Sequence, residues 1–291
     1  MRLSGRIIRG IGGFYYVYTE HGIIECRARG KFRISNIVPI VGDNVDIDTE
    51  NLKDGFIINI HNRKNELVRP PVSNVDQAII TFSIVNPALN RLQLDKMIIL
   101  VELNGIHPVI CINKIDLVTE DVFTPLYNLY KNLGYDVIAT SKFDNIGIDK
   151  LKAMLIGKTS FFTGPSGVGK SSLINCIQGT NKQEIGDLSE KLLRGKHTTR
   201  NVELIPFENG YVLDTPGFTS LNLDIDETEL KYYFRDFRNY ELDCRFKSCL
   251  HINEPDCGVK IAVSNGLIDK IRYSNYLNLY NELKSNKRRR Y

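Results

Sequence analysis

The sequence predicts an α/β protein in which a mostly parallel sheet flanked by helices is preceded by a small all-β barrel and followed by a small helical domain. Three observations predict it. Between residues 66 and 221, apolar runs such as QAIITFSIV, HPVICIN, YDVIAT, SFFTG and GYVLDT alternate with helix-like stretches at 91–104 and 171–178, the pattern of strands joined by helical crossovers. Residues 1–65 instead carry short strand-like runs, FYYVY, IIECRARGKF, DNVDI and GFIINI, separated by the turn signals GG, EHG, PIVGD and KDG. Residues 222–291 change to helical spacing, with Leu230, Phe234 and Phe237, then Tyr273, Leu277, Tyr280 and Leu283, three or four apart. The expected domains are therefore 1–65, 66–221 and 222–291.

With 291 residues, 42% hydrophobic and 25% charged, the chain supports at least one sizeable core. A net charge of +4 is only mildly basic, so a claim about nucleic acid must rest on local clusters. No run approaches the roughly 18 apolar residues of a membrane span. The opening MRLSGRIIRGIGGFYY lacks the continuous apolar core of a signal peptide. A cytoplasmic protein with no membrane partner is expected. Cys26, Cys111 and Cys176 sit in apolar contexts and read as buried thiols, whereas Cys244, Cys249 and Cys257 crowd together and read as metal ligands before disulfides.

GPSGVGKSS at 164–172 satisfies GxxxxGK[ST], after a β-rich SFFT and before a helical SSLINCIQ. Gly164, Pro165, Ser166, Gly167, Val168 and Gly169 form a turn whose backbone N–H groups can cradle phosphates at the positive end of a helix. Lys170 can reach the β and γ oxygens, Ser171 can place a hydroxyl on magnesium, and Ser172 completes the motif. The bland alternative is a glycine-rich strand-to-helix turn that binds nothing.

NKID, made of Asn113, Lys114, Ile115 and Asp116, ends the run HPVICI, where open α/β sheets place ligands. An aspartate there can accept from guanine N1–H and the 2-amino group, which adenine cannot offer, while Asn113 and Lys114 brace the site. Alone, the four residues read equally well as a polar turn. Thr140, Ser141 and Lys142 follow another strand, as in the SAK loop whose backbone amide meets guanine O6. DTPG at 214–217 supplies Asp214 for magnesium through water and a Gly217 amide for the γ phosphate. RGKHTTR at 194–200 supplies Thr199, favoured over Thr198, to close over magnesium and phosphate. The base readers precede the phosphate loop and the switch elements follow it, so the order is that of a GTPase cut and rejoined, a circular permutation that surface termini tolerate.

In Cx4CxHx5C, Cys244, Cys249, His251 and Cys257 offer three thiolates and an imidazole, a closed tetrahedral shell for one structural zinc per chain. Uncoordinated thiols are the alternative. In CRARGKFR, Arg27, Arg29, Lys31 and Arg33 alternate with other residues, so a strand there places four positive charges on one face, near Tyr15. Such a stripe suits RNA, although an ordinary solvated strand face reads the same. The terminal KSNKRRRY is a second basic patch.

On NKID, GPSGVGKSS, GKHTTR, DTPGF and the cysteine and histidine cluster, the chain resembles the circularly permuted GTPases that act on the small ribosomal subunit, the RsgA family. The resemblance covers nearly the whole chain. It implies GTP hydrolysis to GDP and phosphate stimulated by the small (30S) subunit, contact with its rRNA, an OB-type N-terminal domain and a zinc-bearing C-terminal domain. The residue after DTPG is Phe218, where many GTPases carry a water-orienting glutamine. Intrinsic hydrolysis is therefore expected to be slow, and His197 is the internal candidate for the missing group, as the resemblance also implies; a solvated loop histidine is the alternative. The expectation is a monomeric GTPase, with magnesium accompanying GTP, that acts in late subunit assembly and whose second switch moves the helical domain against the barrel. The rivals are a P-loop ATPase or kinase and a non-catalytic, nucleotide-stabilised RNA-binding assembly protein.

Overall fold

A computed structural model of the chain describes residues 1–30, 32, 37–179, 202–214 and 222–289. The first strands are β1 (Arg2–Ile11), β2 (Phe14–Thr19), β3 (Gly22–Ala28), β4 (Asn44–Thr49) and β5 (Asp54–Ile60). They close in the order β1-β2-β3-β5-β4 and back to β1, with β3 and β5 parallel, the ring of an OB-type barrel. Alternation dictates the inside: Val17, Ile24, Cys26, Val45 and Ile47 are buried, and their neighbours face out. At Gly5 a side chain would meet the Tyr18 carbonyl at 2.6 Å, so only glycine lets β1 cross here. A bulge between Ile7 and Arg9 turns β1 out of the barrel, where Arg9 pairs with Glu203.

A hairpin, β6 (Glu66–Val68) and β7 (Pro71–Ser73), leads into the central domain. There β8 (Gln77–Ser83), α1 (Arg91–Leu103), β9 (His107–Asn113), α2 (Glu120–Asn132), β10 (Asp136–Thr140), α3 (Ile148–Leu155), β11 (Thr159–Thr163), α4 (Lys170–Gly179), β12 (Glu203–Phe207) and β13 (Gly210–Asp214) follow in order. Strands β10, β9, β8, β11 and β13 are parallel, and β12 runs antiparallel beside β13. Every residue of β8 is buried, as a strand covered on both faces requires. Through β12 and β1 the sheet continues into the barrel as eleven strands. The Asn90 side chain accepts from the Gln93 N–H at 3.0 Å and starts α1, which the apolar spacing placed within a residue.

The C-terminal region holds 3-10 turns at Leu230–Tyr233, Arg235–Phe237 and Glu241–Asp243, then α5 (Gly258–Ser264) and α6 (Lys270–Arg289). Leu230, Phe234 and Phe237, expected on one α-helix, fall instead on two short 3-10 turns that meet at Phe234, whose extended backbone (φ −98°, ψ 92°) interrupts the helix. These residues pack with Tyr276, Leu279 and Leu283 against Ile99 and Leu100 of α1. The same contact buries Arg272, only 2% exposed, between Asp95 and Asp236, and Asn275 and Tyr130 each donate to Asp95 at 2.7 Å. Burial pushes the Asp95 acid above its ordinary range, against the opposing pull of Arg272. Arg91 with Asp269 and Arg235 with Glu102 rim the contact at 2.7 and 2.6 Å. Among the described residues, no helix is long and apolar enough to cross a membrane.

Candidate functional site

The carboxyl ends of β8, β9, β10 and β11 lie side by side, since Ser83 pairs with Asn113, Asn113 with Thr140, and Ile80 with Thr163. The loops leaving them form one rim. On it, Gly164, Gly167 and Gly169 have φ values of 141°, 81° and 97°, which side chains rarely adopt. A Cβ on Gly164 would also lie 2.0 Å from the Thr81 carbonyl, and one on Gly169 would lie 2.4 Å from the Asn113 amide. The loop is therefore clamped between two strand ends. Lys170 starts α4 and donates to the carbonyls of Gly164 at 2.8 Å and Pro165 at 2.7 Å. Two of its three donors hold the ammonium over the loop, leaving the third for an anion. Burial lowers its pKa, a penalty that a phosphate would relieve. Val168 is buried, while Ser166, Gly167, Ser171 and Ser172 are exposed at the helix start.

Asn113 joins the end of β9 to the glycine-rich loop and to β10. Its amide donates to the Val168 carbonyl at 2.9 Å, and its oxygen accepts from the Thr140 hydroxyl at 2.9 Å. Lys114, with a left-handed φ of 60°, donates to Gly167 at 2.7 Å and to Asn86 at 2.6 Å. Ile115 is buried beneath the turn Ile115–Leu117. Asp116 stands on that turn, and its Oδ1 is buried with no hydrogen-bond partner among the described residues. A buried acceptor left unpaired is costly, so this oxygen suits the donor edge of a base. Ser141 is fully buried and its N–H is taken by the Ile146 carbonyl at 3.0 Å, while Lys142 lies exposed beside it. Sequence reasoning missed the loop carrying Asn86 and Pro87, which touches both Lys114 and Gly167. Its only sequence signal is the Asn-Pro turn after β8.

Asp214 ends β13, next to the phosphate-loop strand β11. His197, Thr198, Thr199, Gly217 and Phe218 lie outside the described residues.

Ligand atoms of Cys244, Cys249, His251 and Cys257 all lie within 4.8 Å of one another. The Cys244 and Cys257 sulfurs are 3.8 Å apart, and the His251 Nδ1 is 3.5 and 3.4 Å from them. A tetrahedral shell with metal–sulfur bonds of about 2.3 Å has edges of about 3.8 Å, so the four residues fit zinc. The loop is held in place from several sides. Tyr273 donates to the His251 carbonyl at 2.7 Å, and Glu254 accepts the N–H groups of Leu250 and Ile252 at 2.7 and 2.8 Å. Burial lowers the His251 pKa to about 4, which keeps the imidazole neutral and able to ligate. It raises Cys249 to about 12 and lifts Cys257 as well.

On the barrel, β3 stops at Ala28, so the basic run is not one strand and Arg29 lies beyond its end. The Arg27 guanidinium stacks 4.5 Å from the Phe14 ring centre, and Arg29 is bound to Asp48 at 3.1 Å. Tyr15 pairs with buried Cys26 and so belongs to the opposite face from Arg27; a strand alternates sides, and the aromatic neighbours of Arg27 are Phe14 and Phe56. Phe56 is 50% exposed. Lys31 and Arg33 lie outside the described residues.

The sequence profile of the RsgA GTPase matches residues 60–224, and that of the RsgA N-terminal domain matches residues 4–57. The chain is 56% identical to a small ribosomal subunit biogenesis GTPase RsgA of Caldanaerobacter subterraneus subsp. tengcongensis, over 100% of this chain and 99% of that protein. It is 51% identical to the protein of the same name from Clostridium acetobutylicum, over 97% of this chain and 98% of that one. Among solved structures, YloQ, described as a circularly permuted GTPase, matches with a TM-score of 0.84 and 42% identity, covering 98% of this chain and 96% of that one. YjeQ from Thermotoga maritima matches with a TM-score of 0.83 and 38% identity, covering 97% and 99%. With two family profiles covering most of its length and close relatives matched from end to end, the chain belongs to the RsgA GTPase family.

Proposed function

We propose that this GTP hydrolase binds the small (30S) ribosomal subunit and acts in its late assembly, with the subunit stimulating hydrolysis to GDP and phosphate. The observation that carries the nucleotide reading is the pairing of Asn113 with Val168 beside the unpartnered Asp116 oxygen. In this reading Asp116 selects guanine, Thr140, Ser141 and Lys142 close over the base, and the residues from Gly164 to Ser172 hold the phosphates. Ser171, Thr199 and Asp214 would hold magnesium, which when bound neutralises charge on the transferring phosphate. The Gly217 amide would meet the γ phosphate, and His197 would orient the attacking water that Phe218 cannot. Residues 1–65, 66–221 and 222–291 act as RNA-binding, GTPase and zinc-binding units.

Arg27, with Arg29, Lys31 and Arg33, contacts rRNA, and the protein works as a cytoplasmic monomer. The names of the relatives support the subunit as partner. The site supports guanine over adenine because only guanine offers a donor pair to a carboxylate. Multiple-turnover GTP hydrolysis with and without purified small subunits, alongside GDP and ADP affinities, tests the reading. Equal affinity for the two diphosphates, or turnover indifferent to the subunit, would overturn it.

A further inference from the structure

Three thiolates and a neutral imidazole around divalent zinc leave one negative charge. Cys249, His251 and Cys257 are nearly fully buried, and a buried net charge is costly unless something offsets it. The charged groups around the cluster are mostly engaged elsewhere. Arg245 pairs with Asp256, the Glu254 carboxylate accepts backbone N–H groups, and Lys260 donates to the Glu254 carbonyl. The other deeply buried cation of this region, Arg272, has Asp95 and Asp236.

Lys231 differs. It stands on the turn Leu230–Tyr233, is 9% exposed, and donates to the Cys249 carbonyl at 3.0 Å. Among the described residues it forms no ion pair with a carboxylate. Its ammonium also lies 5.2 Å from the Tyr232 ring centre, and the residue lines an open depression with Thr228, Glu229, Lys247 and Ser248. One side of the ammonium opens on that depression, and the other is held by the backbone carbonyl of a metal-ligand residue.

We propose that Lys231 is the built-in counter-charge of the metal centre, a positioning residue whose charge, beyond its hydrogen bond to Cys249, holds the metal in place. The inference rests on the cluster being a zinc site. Groups just outside a coordination shell commonly change metal affinity by about 10-fold to 100-fold.

The test uses the full-length protein as purified, with Lys231→Met, Lys231→Gln and Lys231→Arg. Glutamine keeps a donor for the Cys249 carbonyl but has no charge. Zinc release to a chelating dye is expected to be about 10-fold to 100-fold faster in the methionine and glutamine variants and near the parent rate with arginine. Cobalt-substituted protein should show the same ligand-field spectrum in parent and glutamine variant, which separates lost charge from lost geometry. Release at the parent rate in both neutral variants, or as fast from arginine as from glutamine, overturns the inference alone. A parent purified without stoichiometric metal overturns the metal centre and the inference with it.

Discussion

The Asn113 amide donates to the Val168 carbonyl at 2.9 Å, tying the end of β9 to the glycine-rich loop across 55 positions of chain. This bond fixes where Asp116 stands, because only a short turn separates the two residues. Asp116→Asn replaces an acceptor-only carboxylate with a group that presents a donor to the guanine donor edge. Sites built to hydrogen-bond a ligand group reject mismatches by about 10⁴-fold, so GDP affinity measured by calorimetry should fall by at least about 100-fold. Xanthosine diphosphate, with a carbonyl at C2, should bind the variant better than it binds the parent. Unchanged GDP affinity would remove Asp116 from the base site.

The parts of this site that were legible in the sequence are those in which local residues make the geometry. GPSGVGKSS encodes much of its own turn, through three glycines with positive φ and a lysine that donates to the Gly164 carbonyl, while Asn113 and Lys114 complete it from outside. The position of NKID at the end of a buried strand is legible from the apolar run HPVICI before it. Asp95 and Arg272 were not, since nothing local marks a carboxylate inside a helix for an arginine 177 residues away. The expected nearness of Tyr15 to the basic residues does not hold, because Tyr15 pairs with buried Cys26 and Arg27 lies on the other face of the strand. That the basic run forms one strand does not hold, because β3 ends at Ala28 and the period-two rule applies only while the chain stays extended.

His197 stands two residues before Thr199 in the sequence. If it orients water, His197→Ala should lower subunit-stimulated turnover by about 100-fold, the usual scale for losing such a group, while GDP affinity stays within about twofold. Stimulated single-turnover rates beside equilibrium binding would check this, and unchanged turnover would dismiss His197.

Arg27 and Arg29 should differ as RNA contacts. Arg27 is exposed and stacked on Phe14 with no carboxylate bound to it among the described residues, whereas Arg29 already pairs with Asp48. Arg27→Ala should reduce the salt slope of subunit binding by about one counterion. Arg29→Ala should change it less, because Asp48 already offsets that charge. Equal slopes for parent and Arg27→Ala would contradict an RNA contact at this face.

The buried set of Asp95, Arg272 and Asp236 holds the helical domain to α1. Removing one partner of a buried ion pair costs about 3–5 kcal/mol, so Asp95→Ala should lower the denaturation midpoint markedly. Replacing all three with apolar residues of similar volume should cost far less. If the second switch drives domain motion, distances between α6 and the barrel should differ with GDP and a GTP analogue, while those between α1 and α6 stay fixed. Spin-label distances that change across the α1–α6 contact would refute a rigid joint.

Metal binding should depend steeply on pH. In the metal-free fold burial raises Cys249 to about 12 and lifts Cys257, so both are thiols at pH 6–8, while His251, lowered to about 4, is already neutral. Zinc must therefore displace thiol protons and none from the imidazole. In the metal-bound fold the thiols are held deprotonated below their ordinary value, so the stability they bring is present at high pH and lost as pH falls. From Cys249 and Cys257 alone, affinity should drop by about 100-fold for each unit of pH lowered between 8 and 6. Competition against a chelator of known pH behaviour measures this, and a slope of less than about tenfold per unit would mean that these two sulfurs do not both become thiolates on the metal.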